Sequence, residues 1–523
     1  MIKAPPNCET PFPAPLVAAI GMALVCCVVF HGYEIFNFTL SIDEELKAYL
    51  YTPSADIQQG RWGRVLYYWL IAENTTDPVT PIAAGLTLYS VAFVLLIKNL
   101  LINNWRSVVV AAPIFFGFPV ILYDVAFNFV ALDLGLGSLS AVLALQAAQK
   151  RTPAGFVAAS MLIAFATSLY QSLLYFSIII FLADLVKLAW GARPTIEKTQ
   201  QSFVWYGAIF GTALLIYASI SISLLSYLDL GFAQRGYFRP NLIFQDSLIV
   251  FETMLSQIWK IYSGFAPSFL GEGVYYRLLM VVCLAVLFWS LFVTWRKSAR
   301  VGLTVLALLG AILFAPFLQH PLNAGYLPYR ALVGVPAALT VVVLFAAERS
   351  APNLRKWLLL PLAALLMFEF STINNRQYYA GHWQLERDAA LGTQIIARIQ
   401  ETLPDEPAYT IAVVGFKPVK HDALVPFVNS STLGQSFFSW DGGNSTRIAM
   451  FLNFLSDATF RAPSSEQMEA ALRAAGVMPI WPLAGSVRRI GDVVAIKLSE
   501  PSPPQISVAC TNRHSAFCAQ HGY

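Results

Sequence analysis

Eleven apolar stretches dominate this 523-residue chain and restrict what it can fold into. They fall at 16–36, 79–97, 107–123, 127–148, 154–168, 171–189, 203–227, 276–294, 301–318, 330–347 and 357–371. A hydrocarbon core of roughly 30 Å calls for about 17–25 predominantly apolar residues per helix, with every backbone polar group satisfied inside that helix. No soluble core could hide so much apolar surface, since 57% of the residues are hydrophobic and only 12% are charged. The chain therefore reads as a polytopic α-helical membrane protein. Its first stretch, LVAAIGMALVCCVVFHGYEIF, is long and has no small-x-small cleavage site after it, so it is expected to stay as a span.

The positions of the charges matter more than their sum. A net charge of +4 from 34 basic and 30 acidic residues is too slight an excess to attract a polyanion, which excludes nucleic acid as a partner. With a cytoplasmic N-terminus, fourteen Lys and Arg fall in roughly 60 residues of inner segments, against about eight in roughly 110 residues of outer loops. That bias places the loop 37–78, a turn at 123–128, the loop 228–275 and the tail on the outer side. The predicted organisation is a transmembrane domain over 1–371 and a small soluble α/β domain over 372–523. In the tail, strand-like runs (YTIAVVGF, DVVAIKL) alternate with helix-like runs (RIAMFLNFL, SEQMEAALRAAG) between breakers such as LPDEP, APSSE and PSPPQ. In an oxidising compartment Cys510 and Cys518 are expected to pair as a disulfide. Cys8, Cys26, Cys27 and Cys283 lie in or near spans and read as packing residues.

No phosphate-binding loop, dinucleotide fingerprint, zinc helix or nucleophile elbow is present. The six histidines lack metal-ligand spacing, and His31 reads as a hydrogen-bonded packing residue, so no metal ligands are assigned and no cofactor is expected. Loop carboxylates can hold a divalent cation as hard oxygen ligands, which leaves metal dependence open.

The polar chemistry gathers instead in SIDEELKAYLYTPSADIQQGRWGR, where the first span ends. Asp43, Glu44 and Glu45 supply a base at the bilayer's polar boundary, and Arg61 and Arg64 flank Trp62 in a Gly-bounded turn. A carboxylate can take the proton of an attacking hydroxyl, and arginines can stabilise a departing phosphate. Those are the needs of a transferase working on a lipid-linked sugar phosphate. A single displacement of this kind inverts the anomeric centre with one base, whereas retention takes two carboxylates and a covalent intermediate. Arg235, Arg239, Lys260, Tyr329 and Arg330 lie in or beside outer loops as further phosphate contacts, with interfacial anchoring as the alternative reading. Asp124 sits at a span end, and Trp440, Asp441 and Asn444 sit in SFFSWDGGN; these four, with Trp62, are the candidates for holding sugar. SFFSWDGGN can equally be a packed turn.

Taken in order, SIDEE, IQQGRWGR, LYDVAFNF, SLYQSLLYFS, LPYRALVGVP, NNRQYYAGHWQLERDAALGTQII and LGQSFFSWDGGNSTRIAMFL resemble the Gtr-type (GtrII) glucosyltransferases, serotype-converting enzymes of the GT-C kind that modify bacterial O-antigen. The resemblance spans about residues 35–500. It implies a polytopic bacterial inner-membrane enzyme with a periplasmic C-terminal domain, moving glucose from undecaprenyl-phosphate glucose to a lipid-linked O-antigen, or lipopolysaccharide, unit. It also implies functional association with a flippase and a polyprenyl-phosphate glucose synthase. By position it makes Asp43 the leading base and Glu44 the second, and the adjacent acids leave that choice open. A transporter or flippase of a lipid-linked sugar, and a transferase using another polyprenyl-phosphate hexose, are the alternatives. Transporters commonly carry internal repeats and charges near the midplane, whereas the ionisable residues here gather at span ends.

Overall fold

The computed structural model describes residues 13–71, 79–191, 195–232, 247–264, 273–323, 327–403, 406–418, 434–510 and 515–521. Among the described residues nine helices are long and apolar enough to cross a membrane: Ala14–Phe36, Thr80–Asn99, Asn128–Gln149, Leu173–Trp190, Ile196–Tyr227, Val274–Lys297, Ala299–Phe317, Tyr329–Arg349 and Pro352–Thr402. The expected count of eleven is corrected at two places. The stretch 107–123 is broken, because Trp105–Gly117 and Pro119–Val125 meet at an angle of 49° and make at most a tenth span. Pro119 has no N–H to continue the helical ladder, and its ring drives Phe118 into extended backbone with φ −58° and ψ 129°. The stretch 154–168 forms the apolar helix Pro153–Leu169, whose seventeen residues reach about 26 Å, at the lower limit of a span's length and outside the nine.

The chain divides into two compact units. One comprises Met1–Phe36 with Thr52–Asn375, and the other Asn37–Tyr51 with Arg376–Tyr523. The boundary therefore differs from the expected 371/372 split: the fifteen residues that follow the first span fold with the tail. Their apolar side chains explain it, since Leu40 and Ile42 are buried in the same cluster as Ile411, Val413, Ile448 and Phe451.

In the first unit the helices pack as membrane helices do, through small residues. Thr80–Asn99 and Asn128–Gln149 approach so closely that a Cβ on Gly85 would lie 2.2 Å from the Ala131 carbonyl oxygen. His31 donates from Nε2 to the Phe116 carbonyl at 2.9 Å, the packing role expected of it. Cys26 and Cys283 are buried thiols and Cys27 is half-buried; Cys8 lies outside the described residues.

The second unit is an α/β sandwich built on four strands, β1 (Ala408–Val414), β2 (Thr459–Arg461), β3 (Val487–Ile490) and β4 (Val493–Lys497), in the order β2-β1-β4-β3. β1 runs parallel to β2 and β4, while β3 and β4 form an antiparallel hairpin. The period-two alternation sends Ile411, Val413, Val494 and Ile496 to one face, against helix Ser445–Leu455. Ala412, Val414, Val493 and Ala495 face helices Ser465–Ala475 and Pro503–Cys510 on the other. Ser464 and Gln467 close a reciprocal capping box on Ser465–Ala475. Cys510 and Cys518 are joined as a disulfide.

Candidate active site

In the second unit, the acids that follow the first span take three different positions. Glu44 opens the short helix Glu44–Leu50, and its Oε2 accepts the Ser41 backbone N–H at 2.8 Å, so this buried carboxylate closes its own turn. Asp43 precedes the helix with φ +83°, a left-handed conformation that costs a non-glycine residue on the order of 1–3 kcal/mol. The strained turn leaves the Asp43 side chain 37% exposed, whereas that of Glu45 is wholly buried.

Arg447, in the first turn of Ser445–Leu455, joins these acids to the SWDGG turn. Its Nη2 donates to Asp43 Oδ1 at 2.6 Å, its Nη1 to Glu45 Oε1 at 2.6 Å and its Nε to Asp441 Oδ2 at 2.9 Å. Burial disfavours the charge on Arg447, but Asp43 and Glu45 more than offset this and hold its affinity for the proton above the ordinary value. Burial pushes the Glu45 carboxyl up to about 7, against the pull of Arg447, and Glu45 Oε2 has no hydrogen-bond partner among the described residues. Folded Glu45 thus holds its proton at pH values where the unfolded chain has released it. Its contribution to stability is fully present below about pH 4.5 and is lost as pH rises through about 7. Thermal unfolding at pH 5 and pH 8 should show the wild type losing more stability over that interval than Glu45→Gln; equal losses would refute this.

The SWDGG turn is rigid for local reasons. Asp441, Gly442 and Gly443 all have positive φ, at 50°, 71° and 84°. Asn444 then caps the helix, its Oδ1 accepting from the backbone N–H of Thr446 (2.9 Å) and Arg447 (3.3 Å). Upstream, Asp388 accepts from Ser436 Oγ and the Phe437 N–H, both at 2.7 Å, and fixes the start of the segment. Phe437 is buried and stacked on Phe451 with ring centroids 4.2 Å apart, and Phe438 is buried beside it. Trp440 is half-buried against the same cluster. SFFSWDGGN is thus a packed turn whose exposed carboxylate is Asp441. Asn444→Ala should cost about 1 kcal/mol of stability in this unit, read from the unfolding midpoint.

The first unit holds the other candidates. In QGRWG, Gly60 takes φ +72°, and a Cβ there would lie 2.3 Å from the Tyr217 hydroxyl. The turn sends Arg61 over the Tyr170 ring, 5.1 Å from its centroid, and begins helix Trp62–Ile71. The Trp62 indole N–H has no hydrogen-bond partner among the described residues. Arg64 points inward instead, buried between Asp56 (3.2 Å) and Asp133, with which it also pairs directly. Its charge is therefore already met by two buried carboxylates. Asp124 ends the broken span, fully buried, and neither carboxylate oxygen has a hydrogen-bond partner among the described residues. Arg330 is the cation that acts on it, itself 5.2 Å from the Phe127 ring, and Tyr329 lies against Tyr123 with centroids 5.9 Å apart. Lys260 is exposed in the last turn of Ser247–Ser263. Arg235 and Arg239 lie outside the described residues.

Sequence reasoning passed over Arg447 and Asp133, and named Glu45 only as one of three adjacent acids. Asp133 did carry a signal, being an acid inside an apolar span. Arg447 carried none, lying 404 residues from Asp43. Among the described residues no three His, Cys, Asp or Glu side chains form a metal-binding group. The cation among Asp43, Glu45 and Asp441 is the Arg447 guanidinium.

No curated protein matches the chain by sequence. Among solved structures, the crystal structure of ArnT from Cupriavidus metallidurans bound to undecaprenyl phosphate is similar at 12% identity, covering 86% of this chain and 89% of that one with a TM-score of 0.42. The family model of the glucosyl transferase GtrII matches residues 32–347, more than half of the sequence, and the chain belongs to that family.

Proposed function

We propose that this protein is an inverting glycosyltransferase of the GT-C kind that moves glucose from undecaprenyl-phosphate glucose to a lipid-linked O-antigen unit on the periplasmic face of the bacterial inner membrane. Asp43 is the base. The observation that carries this assignment is the turn at 41–44, which strains Asp43 and leaves its carboxylate partly exposed while engaging the neighbouring Glu44 with the Ser41 N–H. An acceptor hydroxyl oxygen attacks the anomeric carbon and the bond from that carbon to the phosphate oxygen breaks. The polyprenyl phosphate leaves and Asp43 takes the hydroxyl proton.

In the membrane unit, Arg61, Arg330 and Lys260 are assigned to the lipid phosphate, with Tyr329 beside Arg330; Arg235 and Arg239 share that assignment from the sequence. Arg64 is reassigned to the scaffold on account of its two carboxylate partners. Asp124 and Trp62 are assigned to sugar hydroxyls, because an unmet buried carboxylate and an unmet indole N–H are the groups such hydroxyls satisfy. In the other unit, Asp441 and Trp440 are the acceptor-side candidates, and Asn444 acts through the helix it caps.

Purified protein in detergent, given polyprenyl-phosphate glucose and a lipid-linked acceptor, should form a product heavier by one hexose in mass spectrometry. Movement of the donor across sealed vesicles without any covalent transfer would instead establish a flippase.

A further inference from the structure

We propose that Arg447 is a positioning residue for the Asp43 carboxylate, so that the segment beyond the family-matched region completes the catalytic machinery. This rests on the reading of Asp43 as the base. The family match ends at residue 347, yet a short hydrogen bond to Asp43 comes from residue 447. Arg447 is well suited to hold a carboxylate in a fixed plane. Its three guanidinium nitrogens each bond a different carboxylate, which locks the fork from three directions. Its backbone is anchored as well, since its N–H is one of the two that bond Asn444. A lysine in its place would keep the charge and lose the fork.

The groups facing Arg447 are Asp43 and Glu45 from the first outer loop and Asp441 from the SWDGG turn. Their three bonds fix where the fork can lie, so a side chain that keeps the charge but not the fork lets the Asp43 carboxylate turn away from the acceptor hydroxyl.

The test is kcat and KM for hexose transfer in the wild type, Arg447→Lys and Arg447→Met, each purified as the full chain and normalised to folded protein. Arg447→Lys should lower kcat roughly tenfold to a hundredfold, with KM for the lipid donor within about twofold of wild type. Arg447→Met should lower kcat further. Wild-type kcat in Arg447→Lys would overturn the proposal, as would a loss carried wholly by KM for the donor. A fully active Asp43→Asn would instead overturn the assignment of the base, which separates the two failures.

Discussion

Asp43→Asn should abolish most hexose transfer, with kcat falling by about 10²–10⁴-fold, the usual contribution of a general base. The substitution keeps the shape of the side chain and its ability to accept a hydrogen bond from Arg447, and asparagine tolerates the left-handed backbone at this position better than most residues. The protein should therefore remain folded, and its unfolding midpoint is the control. Glu44→Gln should behave in the opposite way. Its carboxylate accepts a backbone N–H at the start of a helix, which an amide oxygen can also do, so activity should stay within about tenfold of wild type while stability drops by roughly 1 kcal/mol. Steady-state transfer by the two variants, normalised to folded protein, checks both statements. If Asp43→Asn turned over like the wild type and Glu44→Gln were dead, the base would be Glu44.

The second large effect is one of stability. Arg64→Met would strand Asp56 and Asp133, two buried carboxylates, without their shared cation. Removing one partner from such a group typically costs about 3–5 kcal/mol, because the remaining charges stay desolvated with no counter-charge beside them. A sharp fall in the thermal unfolding temperature of the detergent-purified protein is expected. Adding Asp56→Asn and Asp133→Asn to Arg64→Met should recover much of the loss, since no uncompensated charge is then left inside. If Arg64→Met unfolded at the wild-type temperature and only weakened binding of the lipid donor, Arg64 would be a phosphate ligand rather than part of the scaffold.

What could be read in the sequence follows the range of the forces involved. The apolar stretches were legible because crossing a bilayer is a matter of length and hydropathy along contiguous residues, and all eleven are helical. The break at Phe118 was written in the sequence as Gly117-Phe118-Pro119, but a hydropathy scan weighs side chains and does not register a missing N–H. The strands and helices of the second unit were likewise legible from periodicity, with YTIAVVGF and DVVAIKL forming β1 and β4.

The site was only half legible. That the loop after the first span held the acids was clear, but which acid stayed partly exposed depended on one backbone torsion at Asp43. Residue type does not determine that torsion. Arg61 and Arg64 looked equivalent in QGRWGR, and only the fold shows that one lies over a tyrosine ring and the other is enclosed by carboxylates. The role of Arg447 was hidden by distance along the chain.

That distance bears on how the protein is made. Residues 37–51 leave the ribosome early, yet the unit they belong to needs residues 376–523 for its sheet and its core. Pairings so remote in sequence form slowly, and during synthesis they wait until the partner segment exists. The growing chain therefore carries its acidic loop, uncapped by Arg447, through the synthesis of every later apolar stretch. A chain released after residue 371 would hold all its apolar stretches and lack both Arg447 and the sheet and helices against which residues 37–51 pack.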